Sequence, residues 1–185
     1  MANKLLRSEH VTINTKIRST ALLFLVVSFA AAASRSEGFE GKWVLDKKKS
    51  PEAAQAPQDL IQQIKIDGPN MIIKSKFAQP RNGIYPMLWV GIMTEELRLT
   101  TDGSEAAKSI GPFQLRAKTN HDGDALVTNW TANMENGMAA GQEGGSVEGQ
   151  WLRSISEDGR VMTLQIKGKC SDGRTLDTKL YFNRK

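Results

Sequence analysis

The chain has 185 residues, 39% hydrophobic and 24% charged, with a formal net charge of +5. That suits one domain with accessories and one modest core, and it is not the composition of a disordered chain. A single cysteine, Cys170, excludes an internal disulfide, so the fold must stand on its core.

In chain order the first feature is a leader. Lys16-Ile-Arg-Ser19 is followed by "TALLFLVVSFAAAAS" over 20–34, ending in Ala31-x-Ala33. A basic flank, an apolar run and a small-residue end read as a secretory signal peptide. The run is about 14 residues, shorter than the ~20 of a spanning helix. Residues 1–33 are therefore assigned to leader and signal peptide, and 34–185 to one domain in the periplasm or outside the cell. Lys4, Arg7, Lys16 and Arg18 against Glu9 give the leader +3, so +5 for the whole chain leaves +2 for the rest. The basic pI of 9.4 is partly the leader's, and no basic stripe interleaved with aromatics points to nucleic acid.

From "FEGKWVLDKKKS" (39–50) onward the chain reads as strands near 41–46, 61–67, 71–77, 94–101, 105–110, 113–120, 125–132, 146–156, 160–169 and 174–183. Five Asp-Gly pairs separate many of them, at 67–68, 102–103, 122–123, 158–159 and 172–173. Asp-Gly between alternating segments is a strong hairpin signal. Within the strands the alternation has period 2. Met71, Ile73, Ser75 and Phe77 share one phase; so do Phe113, Leu115, Ala117 and Thr119, and Met162, Leu164, Ile166, Gly168 and Cys170. One apolar and one polar face predict antiparallel strands with water on one side. Sequential hairpins favour an all-β, up-and-down antiparallel barrel of about 8–10 strands, because closure removes exposed edges. Cys170 falls on an apolar phase and reads as a buried thiol.

Two stretches break the rhythm. "AQPRNGIYPMLWVGIM" (78–93) carries Tyr85, Met87 and Trp89 and is a candidate lid over a barrel mouth, or equally a segment packed on the outer wall. "NMENGMAAGQEGGS" (133–146) is Gly-rich.

Catalytic signals are sparse. After the leader the only histidine is His121, in "NHDGD". It is predicted at a turn and reads as a solvated residue rather than a base. One His and one Cys do not build the usual zinc sites. No nucleophile elbow, Walker loop or dinucleotide fingerprint is present. Glu95-Glu96 reads as the flank of a strand rather than an acid/base pair. No catalytic residue, metal or cofactor is assigned, and the balance leans away from an enzyme.

The informative position is Arg153. In "SVEGQWLRSIS" (146–156) it shares a phase with Val147, Gly149, Trp151 and Ile155. If Trp151 points inward, so does Arg153, and a buried arginine needs a partner. That partner is a ligand carboxylate gripped by the guanidinium fork, an internal acid, or solvent at a strand end. Arg184 falls on the apolar phase of the last strand, placed to stack on an indole at the barrel base.

Gly41-x-Trp43 on the first strand, the meander and the late Arg184 together resemble the calycin superfamily, the lipocalins and fatty-acid-binding-protein-like barrels. More closely, "FEGKWVLDKKKS", "TTDG" (100–103) and "WLRSISEDGRVMTL" (151–164) are similar to small exported lipocalin-like bacterial proteins of unassigned function. Those carry a GxWxLdxxKS start and an S.DGxxLTL hairpin, and the likeness covers most of the chain after the leader. The resemblance implies that Gly41, Trp43 and Arg184 close the barrel base. It also marks departures. This chain ends on a strand where lipocalins usually add a helix. About fourteen residues between the first two strands are too few for the helical lid of fatty-acid-binding proteins. Arg153 matches their internal arginine, but "LYFNR" does not match their Arg-x-Tyr pair, so a ligand class does not carry over.

The expected function is an exported barrel that binds a small hydrophobic or amphipathic ligand. Met71, Ile73, Leu97, Leu99, Leu115, Trp130, Trp151 and Met162 would line the cavity, with Arg153 as polar anchor. The alternative is a protein-interaction or inhibitor barrel with a filled core, meeting a partner through the 78–93 loop. A lipocalin-like isomerase or hydrolase comes third.

Overall fold

The computed structural model describes residues 38–50, 59–78, 87–134 and 145–185. The leader, Tyr85 and most of the Gly-rich stretch lie outside them. Ten strands follow in chain order: β1 Gly41–Leu45, β2 Ile61–Asp67, β3 Asn70–Lys76, β4 Glu96–Thr100, β5 Glu105–Ile110, β6 Phe113–Asp122, β7 Ala125–Met134, β8 Ser146–Ile155, β9 Val161–Cys170 and β10 Thr175–Arg184. A 3-10 turn, Met87–Trp89, precedes β4.

All strand pairs are antiparallel, in the order β4-β3-β2-β1-β10-β9-β8-β7-β6-β5. Every pair of strands consecutive in the chain except β4 and β5 is paired in the sheet, and β10 returns to pair with β1, Trp43 opposite Arg184. This is a nearly closed up-and-down barrel. The seam lies between β4 and β5, where no backbone ladder forms among the described residues. Side chains bridge it instead: Lys108 Nζ donates to the Glu96 carbonyl and Thr100 Oγ1 donates to the Ser104 carbonyl at 2.8 Å.

The period-2 pattern builds this wall directly. Inward phases are buried on every long strand, with Leu126, Thr128, Trp130 and Ala132 on β7 and Met162, Leu164 and Ile166 on β9. The five Asp-Gly glycines hold φ between 55° and 88°, the left-handed region that only glycine enters cheaply. The turns divide the barrel into two ends. The base holds the 67–70, 101–104, 122–125 and 156–160 turns and the start of β1. The opposite mouth holds the β9–β10 turn, the approach to β2 and the approach to β4.

His121 differs from its predicted place. β6 runs on to Asp122, so the turn is Gly123-Asp124 and His121 is the last inward-phase residue of its strand, opposite Leu126 and half-buried. The strand continues because Asn120 and His121 still pair with Val127 and Leu126. Glu96 lies on β4 facing outward, between Arg98 at 2.8 Å and Lys74 at 3.5 Å. The hydrogen bond from Arg98 holds its carboxyl below the usual range. It is a solvated wall charge.

Candidate functional site

The base is built from Trp43, which is fully buried. Its Nε1–H donates to the Phe39 carbonyl at 2.8 Å. Arg184 lies over the indole, with Cζ 4.5 Å from the ring centroid, and its guanidinium also reaches the Gly38 carbonyl. A cation over an indole face is attracted by the ring quadrupole. Gly41, with φ 131° and Arg184 Nη1 3.9 Å from the place of a Cβ, lets β1 begin beneath that side chain.

Above the base the interior is apolar. Met71, Ile73, Leu97, Leu99, Leu115, Trp130, Trp151 and Met162 all point inward and are almost wholly buried. Two polar pairs hydrogen-bond across it: Thr119 and Thr128 share a bond at 2.8 Å, and Gln62 Nε2 donates to Ser75 Oγ at 3.3 Å, while Gln62 Oε1 has no partner among the described residues.

Arg153 is the exception. It is 0% exposed, in register with Leu126 on one side and Leu164 on the other. Among the described residues none of Nε, Nη1 or Nη2 has a hydrogen-bond partner, and no ion pair includes it. Its one directed contact is Trp151, with Cζ 5.8 Å from the ring centroid. Burial alone pushes its pKa down to about 10, with no described acid offsetting it, so the group stays charged at neutral pH. Trp151 in turn stacks on Trp130, centroids 5.1 Å apart at 23°. Both indole Nε1–H groups are buried without an acceptor. The unpartnered atoms of this cluster are therefore all donors. Arg153 therefore does not reach solvent at a strand end, and no described acid pairs with it.

Over this cluster lies the described part of the 78–93 stretch, expected either as a lid over the mouth or as a segment on the outer wall. The described part of the irregular stretch turns into the barrel: Leu88, Trp89, Val90 and Ile92 are 9%, 1%, 5% and 0% exposed. A Cβ on Gly91 would meet Trp151 Cη2 at 2.0 Å, and one on Gly168 would meet Leu88 Cδ2 at 2.7 Å. At Gly91 the rigid Trp151 ring already fills the space a methyl would take, while at Gly168 the end of the Leu88 side chain would have to shift. Gly149 likewise makes room for Trp130, whose Cζ2 would lie 2.8 Å from its Cβ. The glycines at 149 and 168 stand opposite one another across β8 and β9, and an isolated glycine in an alternating strand signals such a close approach. The direction of 88–92 had no comparable signal, since it lacks a period.

Outside the barrel, shallow concavities lie on the wall from β5 to β10, lined in part by charged and polar groups such as Glu105, Arg116, Lys118 and Glu148. Among the described residues no group of three or more His, Cys, Asp or Glu is placed to hold a metal ion.

No known family matches the sequence, and no curated protein matches it either. Among solved structures, the chain is similar to a secretory abundant heat soluble protein from Ramazzottius varieornatus, at 11% identity and a TM-score of 0.44. That superposition covers 80% of this chain and 96% of the other. Secretory abundant heat soluble protein 4 from the same organism aligns at 14% identity and a TM-score of 0.45, with the same coverage. Likeness at that level carries no inference about function.

Proposed function

We propose that this protein is an exported barrel that binds a small amphipathic anion in its interior, with Arg153 as the anchor. The observation that carries the reading is the fully buried guanidinium without a partner among the described residues. An ionised group in an apolar interior is costly unless paired, and a specific unsatisfied group in a native fold calls for a reason. A ligand carboxylate supplies one: it accepts through two oxygens, matches the guanidinium fork and neutralises the charge. The indole N–H groups nearby add donors and no acceptors, which disfavours an amine, and the buried positive charge favours an anion over a neutral acceptor. The apolar lining suits the rest of the molecule. Export rests on the leader at 16–34.

One observation favours a second reading, a partner-binding barrel with a filled core: the 88–92 segment already occupies part of the interior. One experiment separates the two. The protein is purified from its native host without denaturation and weighed by native mass spectrometry. The ligand reading predicts a mass starting after residue 33 with a stoichiometric anionic adduct, and Arg153→Ala loses the adduct while keeping the β-sheet circular dichroism signal. A bare mass for the native protein, with no uptake of added hexanoate, contradicts the ligand reading and leaves the filled barrel.

A further inference from the structure

Arg153 is covered by the chain's own residues, so an anion reaches it only if one of them moves. Three closures surround it. At the base, Phe39, Trp43 and Arg184 are tied together by the Trp43 Nε1–Phe39 hydrogen bond and the guanidinium over the indole. Lys185 N also donates to the Lys42 carbonyl there, at 2.9 Å. Around the wall the strands are laddered, and side chains of Lys108 and Thr100 bridge the β4–β5 seam. On the mouth side stands the 88–92 segment, with Gly91 against Trp151. Ser171 N of the β9–β10 turn donates to the Ser146 carbonyl at 2.8 Å, which puts the start of β8 at the mouth. Trp151 therefore lies between the mouth and Arg153.

The closure on the mouth side differs in kind from the other two. Among the described residues, the backbone of 87–93 makes no hydrogen bond to a strand. Ile92 N and Met93 N both donate to the Trp89 carbonyl at 2.9 Å, inside the segment's own turn. The first bond to the wall comes at Glu95, whose carbonyl accepts from Ser75 N at 2.9 Å. What holds the segment in place is the burial of Leu88, Trp89, Val90 and Ile92. Its seat is nonetheless shaped to it, since Gly91 brings no methyl toward the Trp151 ring and Gly168 leaves room for Leu88.

From this arrangement we infer that the 88–92 segment is an internal stopper: in the ligand-free barrel it fills the apolar seat that the tail of the bound anion takes, so its burial and anion binding exclude one another. The inference rests on the reading of Arg153 as the anion anchor. Leu88, Val90 and Ile92 present to Trp151 and the Gly168 wall the chemistry of an alkyl tail. The closed state covers the apolar wall but leaves the guanidinium and the two indole N–H groups without an acceptor among the described residues. Exchange of the segment for an amphipathic anion keeps the wall covered and pairs the charge, so the anion favours the open state. The segment swings out on the residues between its turn and the Glu95 bond. A ligand that binds only when the seat is empty binds more weakly by the fraction of time it is empty, so weakening the seat raises affinity.

The test is fluorine NMR of the exported protein labelled with fluorotryptophan. Four tryptophans give four lines, and Trp89→Phe and Trp43→Phe identify those of Trp89 and Trp43. Saturating hexanoate is expected to move the Trp89 line to the position of a water-exposed indole, with a solvent isotope shift, while the Trp43 line at the base stays. Gly91→Ala drives a methyl into the Trp151 ring and unseats the segment. The variant is expected to show the Trp89 line exposed without ligand and to bind hexanoate at least tenfold more tightly in calorimetric titration. The wild-type lines decide alone if the variant does not fold. Hexanoate binding that Arg153→Ala abolishes, but that leaves the Trp89 line buried or that Gly91→Ala does not tighten, overturns the stopper and keeps the anion anchor. Binding that Arg153→Ala leaves unchanged, or no binding by either the wild type or Gly91→Ala, overturns the anchor and the stopper with it.

Discussion

Replacing Arg153 by methionine raises the stability of the ligand-free protein by on the order of 3 kcal/mol and abolishes anion binding. The burial that pushes the guanidinium down to about 10 is a free-energy difference between folded and unfolded chains, at about 1.4 kcal/mol per unit. The sign follows from which form is disfavoured. Burial disfavours the charged form, so the folded pKa lies below the unfolded one. The destabilisation is fully present below about pH 10 and fades as the group loses its proton in the folded state. The gain from Arg153→Met is therefore flat from about pH 5 to 9. Methionine keeps much of the unbranched volume and brings no charge, the kind of exchange that commonly stabilises a core. Urea denaturation of both proteins, monitored by tryptophan fluorescence, measures it. If Arg153 has an acidic partner in solution, the substitution instead strands that partner and destabilises by several kcal/mol. Loss of stability in the variant is the contrary result. A residue that weakens the fold while serving a ligand fits the usual opposition between stability and function.

Trp43→Ala carries the largest loss, about 3–5 kcal/mol. The indole is fully buried, donates to the Phe39 carbonyl and carries Arg184 on its face. Its removal opens a large void at the base, leaves the Phe39 carbonyl short of a donor and takes the ring from under a guanidinium. A domain with a total of about 5–15 kcal/mol then stands near its unfolding limit. Trp43→Phe separates the contributions: most apolar burial stays while the hydrogen bond goes, for a loss of about 1–2 kcal/mol. Denaturant midpoints at constant slope measure both. Equal losses in the two variants would place the stabilisation in the N–H bond rather than in packing.

Much of the barrel was legible because its signals are local. Period-2 alternation fixes which side chain faces in, and Asp-Gly fixes where the chain reverses, so Trp151 and Arg153 fall on one inward face before any contact is known. The same rule placed Met71, Leu115 and Met162 inside. Three things were not legible. His121 sits beside an Asp-Gly turn, and sequence does not tell whether pairing continues one residue farther; register with Leu126 decides it. The 88–92 segment has no period, so its hydrophobicity said only that it would be covered, by the barrel or by a partner. Whether Arg153 meets an acid depends on residues from distant strands, which no spacing reveals. Gly149 and Gly168 did carry a signal, being small residues on inward phases, and their reason emerged only with Trp130 and Leu88 in place.

The central claim is that Arg153 is a charged donor waiting for an anion. Its guanidinium can be observed directly by nitrogen-15 NMR of the Arg153 Nε–H, assigned by its loss in Arg153→Met. The account predicts a slowly exchanging resonance in the ligand-free protein that moves downfield on addition of hexanoate, saturates at one equivalent per chain, and stays unmoved by hexanol, which matches the tail without the charge. A resonance that ignores hexanoate, or that hexanol shifts equally, would contradict it.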